Sequence, residues 1–379
     1  MFRKSLAAAA LTASIFLFFS CGGSPQSVSE TSDKDEETFS YSVPLDEGKF
    51  VKKYGRCYMD EDATFCEIAN TAAGFEVCFR GTQLYADMRG SYAAEGIAYI
   101  SVFVDGELYD TIGLDLTQQE TLLFESEDNE SHTVKVLKRS EAQYSTVTVF
   151  EIYGDGTFYP VERTDKMKIA FYGDSITCGM GNLPEQFTTT AQEDGLTTYA
   201  TIAAEQMNAE VDICACSGWA IDKADWHTSD MRIPRIFRQY SPFREDIYLQ
   251  IDSETDYVVV NLGTNDYTYY QNHQNEFQTF IDKYYTFYED LRKFYPSAHI
   301  VLAYGIMNWG NLVNDMEKAV TAVYERAVSE KKDENISCLR LYTVTAAEEI
   351  GVNGHPSVLG HRKAAEDLYD FLSESEGKN

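Results

Sequence analysis

Four short stretches of the chain hold the residue types that ester hydrolysis needs. They are Gly173-Asp174-Ser175 within "KIAFYGDSITCGMG", Ser217-Gly218, "NLGTND" with Gly263, Asn265 and Asp266, and "NGHPSVLGH" with His355 and His361. A serine hydroxyl is a weak nucleophile until a neutral imidazole takes its proton, so Ser175 requires His355 within hydrogen-bond reach. The carbonyl oxygen of the attacked ester becomes an anion, which preorganised N–H donors must meet. The backbone N–H groups of Ser175 and Gly218 and the side-chain amide of Asn265 would supply three. Taken singly, each stretch has an ordinary reading: Gly-Asp-Ser and Gly218 as turns, Asn265 as a residue that tolerates left-handed backbone, a His before Pro as structural. Together, and in this order, they point to one site. Such chemistry calls for no metal and no cofactor.

The elements around these stretches explain how they would meet. Apolar strands are expected at Ile169–Tyr172, Val211–Ala215, Val258–Leu262, Ile300–Tyr304 and Leu339–Tyr342. Helical stripes lie between them, one formed by Phe277, Phe280, Ile281, Tyr284, Tyr288 and Leu291, another by Met316, Ala319, Val320, Val323 and Ala327. Apolar strands separated by amphipathic helices imply a parallel sheet covered on both faces, an α/β architecture whose ligands bind beyond the carboxyl ends of the strands. The chemical residues follow the first, second, third and fifth strands. Ser175 at a strand-to-helix turn would also gain from the positive helix end, and Ser357 is placed to cap the last helix.

From about 41 to 160 the pattern has the period of strands. "AYISVFVDGEL" closes on Asp105-Gly106, a hairpin signal; Val134 and Val136 alternate in "SHTVKVLKRS"; "STVTVFEIYGDG" points to a second turn at Asp155-Gly156. Several short strands at this spacing suggest a β-sandwich.

The chain resembles the SGNH (GDSL) hydrolase superfamily, whose four named residues match Ser175 in "GDSIT", Gly218 in "SGW", Asn265 in "GTND" and His355 in "GHP". The resemblance covers residues 165–379 and implies a flavodoxin-like, three-layer hydrolase domain. The β-rich half in front, at 41–162, together with "GDSITCG" and "NLGTND", resembles carbohydrate esterase family 2, which sets a jelly-roll domain before the hydrolase domain and removes acetyl groups from sugars. That resemblance implies acetylated xylan, glucomannan or their oligosaccharides as substrates. It also implies Ser175 and His355 as catalytic residues, with Ser175, Gly218 and Asn265 as the oxyanion hole. The sequence departs from the superfamily at one position that matters. Val352 stands where an Asp usually precedes the His by three residues. Some members of carbohydrate esterase family 2 resemble this case and work as a Ser–His dyad steadied by a backbone carbonyl; Asn353, Glu348 and Glu349 are the side-chain alternatives. Gly354 replaces the usual Trp. Trp219, Trp226 and Trp309 are candidate platforms for a sugar ring, with Trp219, next to Gly218, the best placed. His361 reads as structural. Two other functions fit the same residues: an acyl hydrolase of lysophospholipid or thioester type, and a carbohydrate-binding surface protein with a vestigial site.

The ends and the composition narrow the setting. Arg3 and Lys4 precede an apolar run from Leu6 to Phe19 that is too short for a mature membrane span, and Ser20-Cys21-Gly22 resembles a bacterial lipobox. The expected organisation is a lipoprotein signal peptide at 1–20, a lipid on Cys21, a flexible acidic tether at 21–40, and an extracytoplasmic enzyme beyond it. A formal net charge of -30 excludes the basic stripes that nucleic-acid binding needs. Seven further cysteines at irregular spacing are not a disulfide framework, although a Cys57–Cys66 bridge is open to them, and no pair has zinc-ligand spacing.

Overall fold

The computed structural model describes residues 38–93, 96–226 and 230–376. The leader at 1–20, the lipid site at Cys21 and nearly all of the tether lie outside the described residues.

The carboxyl-terminal half is a parallel sheet of five strands: β1 (Lys168–Gly173), β2 (Glu210–Ala215), β3 (Tyr257–Asn261), β4 (His299–Ile306) and β5 (Ile336–Thr343). Their order is β2-β1-β3-β4-β5, every pair parallel. This is the flavodoxin-like order, with its switch point between β1 and β3, where a crevice opens at the carboxyl ends. Alternation along the strands divides the core in two. Ala170, Tyr172, Val258, Val260, Ile300 and Leu302 face one side, in a cluster with the apolar stripes of α5 (Phe277–Phe294) and α6 (Leu312–Arg326). Ile169, Phe171, Val259, Val301 and Ala303 face the other, packed with α2 (Tyr199–Gln206) and α7 (Val358–Glu376). Burial on both faces is why these strands read as continuous apolar runs. Both helical stripes expected from the sequence are the buried faces of α5 and α6, apart from partly buried Phe277 and from Ala327, which follows α6.

The amino-terminal half, from Phe39 to Tyr159, is an antiparallel β-sandwich with a hydrophobic core of its own. Val134 and Val136 are buried in it, and Asp105-Gly106 forms a tight hairpin with both residues at positive φ. The first strand begins at Phe39, inside the stretch that the sequence assigned to the tether, because the Phe39 ring packs edge-on against Phe50 with centroids 4.7 Å apart. Asp155-Gly156 is not the expected turn. One strand runs through it from Val147 to Tyr159, pairing first with Gln83–Gly90 and then with Gly74–Arg80. Asp155 instead accepts the backbone N–H groups of Thr82 and Gln83 at 2.7 and 3.0 Å, closing the neighbouring hairpin. The turn chemistry is real but serves another segment.

The described residues of both halves form one compact unit. Buried charge joins them. Arg56, 3% exposed, donates to Asp212 at 2.9 Å, to the carbonyls of Phe237 and Gln239, both at 2.9 Å, and to the Tyr172 hydroxyl at 3.1 Å. Each of the three guanidinium nitrogens thereby has an acceptor, which is what makes burying it tolerable. The segment Arg139–Thr146 of the sandwich reaches further, to the carboxyl edge of the sheet.

Candidate active site

Ser175 arrives at that edge on a tight bend. Gly173 ends β1 because a side chain has no room there: a Cβ would lie 1.9 Å from Thr177 Oγ1. Asp174 caps the following turn, α1 (Ser175–Cys178), by accepting the Ile176 N–H at 3.1 Å. α1 is a single turn, so the aligned helix dipole expected to assist Ser175 is not there; the local N–H groups remain. Gly218 follows β2 at φ 79, a conformation that other residues rarely adopt, and Asn265 opens α4 (Thr264–Tyr270) directly after β3.

His355 comes from the loop between β5 and α7. Its Nε2 lies 2.9 Å from Ser175 Oγ. Its Nδ1 lies 3.2 Å from the backbone carbonyl of Val352, the position where a carboxylate would otherwise stand. A carbonyl only accepts, so this contact puts the proton on Nδ1 and leaves the Nε2 lone pair for the serine proton. Val352–Gly354 form a tight turn with Asn353 at φ 55, and that geometry directs the Val352 carbonyl to the ring. The same loop is tied to the serine loop by Val352 N–H donating to Gly181 O at 2.8 Å. Ser357 does cap α7, accepting the Gly360 N–H at 3.4 Å.

The side-chain alternatives for steadying His355 do not reach it. Asn353 is exposed at the pocket mouth and makes no bond to the ring. Glu349 is held by Lys363, by the Tyr342 hydroxyl at 3.0 Å and by the N–H groups of Thr345 and Ala346; the Lys363 contact, first among these, pulls its carboxyl down to about 2. Glu348 offers only its backbone carbonyl, to the Ser357 hydroxyl at 2.7 Å.

Ser175, Gly218, Asn265 and His355 line one cavity of about 560 Å³. Neither the Ser175 N–H nor the Gly218 N–H has a protein acceptor among the described residues. The Asn265 amide donates to the Trp219 carbonyl at 2.8 Å and, over a longer 3.3 Å, to Asp174 Oδ2. Burial, then the charge of Asp266, raises the Asp174 carboxyl to about 7. The contact to Asp174, at 3.3 Å the longer of the two, is the one that an oxyanion would displace. Asp266 is buried too and accepts the N–H groups of Ile221, Asp222 and Lys223 at 3.0, 2.8 and 3.1 Å, stitching the chain just after Gly218 to the start of α4. The segment after Gly218 and the start of α4 are thus joined directly.

The tryptophans divide. Trp226 and Trp309 line the cavity, 56% and 42% exposed, Trp309 standing edge-on to Tyr267. Trp219 is 8% exposed in the core cluster under α5 and is no platform. The left-handed step at Gly218 turns the following side chain inward while leaving its carbonyl for Asn265. His361 is fully buried, accepts the Tyr199 N–H at 3.2 Å and is pushed down to about 3 by burial, as befits a structural, neutral imidazole.

The sequence puts every site residue after position 165. The structure adds Gln143 and Tyr144 of the sandwich to the cavity wall, and Gln143 Oε1 is buried there with no hydrogen-bond partner among the described residues. No local pattern in "RSEAQYST" signals this. A second hollow of about 590 Å³ lies at the amino ends of β1 and β2, lined by Lys53, Arg56, Lys168, Glu210 and Asp212. Among the described residues, no histidine lines it.

Residues 171–363, half of the chain, match the GDSL-like lipase/acylhydrolase family. The chain belongs to that family. Residues 54–161 of this hydrolase match the carbohydrate esterase 2 N-terminal domain. The hydrolase is 27% identical over 90% of its length to the cellulase/esterase CelE of Acetivibrio thermocellus, of which it spans 40%. It is 26% identical over 86% of its length to an acetylxylan esterase / glucomannan deacetylase of Cellvibrio japonicus, of which it spans 88%. Among solved structures, a family two carbohydrate esterase from Clostridium thermocellum in complex with cellohexaose superposes with a TM-score of 0.78, at 24% identity, covering 86% of this hydrolase and 99% of that chain. An acetyl xylan esterase from the rumen bacterium Butyrivibrio proteoclasticus superposes with a TM-score of 0.79 at 20% identity, covering 90% and 98%. At these identities the superpositions establish the two-layered arrangement of sandwich and three-layer hydrolase fold.

Proposed function

We propose that the chain is a serine esterase that removes O-acetyl groups from carbohydrate, acetylated xylan or glucomannan fragments being the substrates its named relatives suggest. The observation that carries the reading is the chain of contacts from Ser175 Oγ through His355 to the Val352 carbonyl. Ser175 Oγ attacks the acetyl carbonyl while its proton passes to Nε2. The resulting oxyanion is met by the N–H groups of Ser175 and Gly218 and by the Asn265 amide. Collapse returns the Nε2 proton to the departing sugar oxygen and leaves an acetyl-serine. Water, deprotonated by Nε2, then releases acetate and restores Ser175. Trp226 and Trp309 offer ring faces beside the nucleophile, and the unpartnered Gln143 oxygen offers an acceptor for a sugar hydroxyl. Release of acetate from acetylated xylan and glucomannan, set against octanoyl esters and lysophospholipid, tests the substrate class; preference for the long acyl chains would overturn it.

The dyad has a pH signature. Burial lowers the His355 pKa, and the Val352 carbonyl offsets this only in part. Turnover needs neutral His355 and is lost as pH falls through its pKa. The acid limb of kcat/KM is therefore expected below the ordinary histidine value of about 6.5. A limb at or above 7 in a pH–rate profile would show an ionised group behind the imidazole.

Lipid anchoring at Cys21 belongs to the same proposal. Cys21→Ala is expected to move the protein from the membrane fraction to the soluble one; unchanged partition on fractionation would refute the anchor.

A further inference from the structure

Ser217 stands immediately before the oxyanion glycine, and its partner is a carboxylate from the other half of the chain. Glu141, in the Arg139–Thr146 segment of the sandwich, accepts the Ser217 N–H at 2.7 Å on Oε2 and the Ser217 hydroxyl on Oε1. Glu141 is 0% exposed and Ser217 5%. Oε2 also lies 3.6 Å from the Cys178 thiol, the last residue of the turn that begins at Ser175. One carboxylate thus touches both the nucleophile turn and the oxyanion loop.

We propose that Glu141 is a positioning residue for the oxyanion hole: its two-point hold on Ser217 fixes the peptide whose next N–H, that of Gly218, is left without a protein acceptor in the cavity of Ser175. The side after Gly218 is braced separately: the Trp219 N–H donates to the Cys216 carbonyl at 3.2 Å, the Asn265 amide to the Trp219 carbonyl at 2.8 Å and Trp226 Nε1 to the Gly218 carbonyl at 3.4 Å, while Glu141 holds the residue before it. Gly218 has no side chain of its own to anchor it and stands at φ 79, so the orientation of its N–H is set in part by the residue before it. A donor misplaced by a fraction of an ångström loses much of its effect on a developing anion.

Glu141 is itself held rigidly. Its N–H donates to Glu193 Oε1 at 2.9 Å, and its carbonyl accepts from Lys138 Nζ at 2.9 Å, which also reaches the Ser140 carbonyl at 2.6 Å. Glu141, Glu193 and Lys138 are all buried. Burial and then the neighbouring charge of Glu141 push the Glu193 carboxyl well up, whereas at Glu141 the rise from burial is opposed by the hydrogen bonds from Ser217. An ionised carboxylate is a stronger acceptor than any neutral side chain of its size. The inference rests on the esterase reading of the site, because without an oxyanion there is nothing to position.

The experiment compares kcat and KM for 4-nitrophenyl acetate in the full chain and in Ser175→Ala, Glu141→Gln and Glu141→Ala. Glutamine keeps the volume and one acceptor oxygen but cannot accept both Ser217 groups as a carboxylate does. The expected kcat loss is about 10-fold in Glu141→Gln and about 10²-fold in Glu141→Ala, at or below the loss of a whole oxyanion donor, with KM within about threefold. The acid limb should stay where it is, since His355 is untouched. Wild-type kcat in Glu141→Gln, or a kcat loss matched by an equal rise in KM, overturns the inference. If Glu141→Ala fails to fold, the glutamine variant decides alone. Absence of Ser175-dependent turnover in the unsubstituted chain would instead refute the esterase reading itself.

Discussion

Ser175→Ala is expected to lower the release of 4-nitrophenol from its acetate by about 10⁴ to 10⁶-fold, with His355→Ala close behind and the double variant no worse than either alone. In the proposed dyad the two residues act as a unit: Oγ would be nucleophilic only while Nε2, 2.9 Å away, accepts its proton, so removing one partner disables the other. What remains would be catalysis by the oxyanion donors and by binding alone. The scale is set at its lower end by the neutral carbonyl behind the imidazole. A buried carboxylate there would stabilise the imidazolium formed in the transition state, and an orienting Asp is worth about 10⁴ in serine proteases. The Val352 carbonyl fixes the tautomer and the ring plane but supplies only a dipole. Ser175→Ala leaves its loop bonds intact, so a folded but inactive variant is the expected outcome. Activity within tenfold of wild type would mean that ester hydrolysis proceeds without Ser175.

Asn265→Ala is expected to reduce kcat by about 10²–10³-fold with little change in KM. The amide is one of three donors available to the developing anion, and the ground-state carbonyl oxygen needs it far less than the tetrahedral intermediate does. In the free protein its hydrogens go to the Trp219 carbonyl and, loosely, to Asp174. Exchanging the 3.3 Å contact for an oxyanion requires only a small adjustment, while the 2.8 Å bond keeps the amide plane in place. Asn265→Asp tests the same point with nearly the same shape, since an ionised carboxylate would repel the anion. A rise in KM with kcat unchanged, measured by steady-state kinetics, would instead mark Asn265 as a binding residue.

Much of this site could be read from the chain itself. The strands after which Ser175, Gly218 and Asn265 fall are encoded by runs of apolar residues, and the turns that display them are encoded within a few positions by Gly173, Gly218 and Gly263. Periodicity and turn chemistry are local, and a parallel sheet converts local positions at strand ends into neighbours in space. The misreadings share a physical cause. Asp155-Gly156 has turn chemistry, but the sheet continues through it and Asp155 serves a different hairpin. Trp219 adjoins the oxyanion glycine in sequence, but the left-handed step there turns its ring into the core.

By itself the sequence named the side chains proposed to carry the chemistry and determined the order of elements that gathers them. Only the tertiary structure decided what supports them. The partner of His355 Nδ1 is a backbone carbonyl, present in every residue and so invisible as a residue type until the turn at Asn353 directs it. The partner of Ser217 is a glutamate 76 positions earlier, on the other half of the molecule. No period or spacing encodes such a contact, because it exists only where the two cores are packed together.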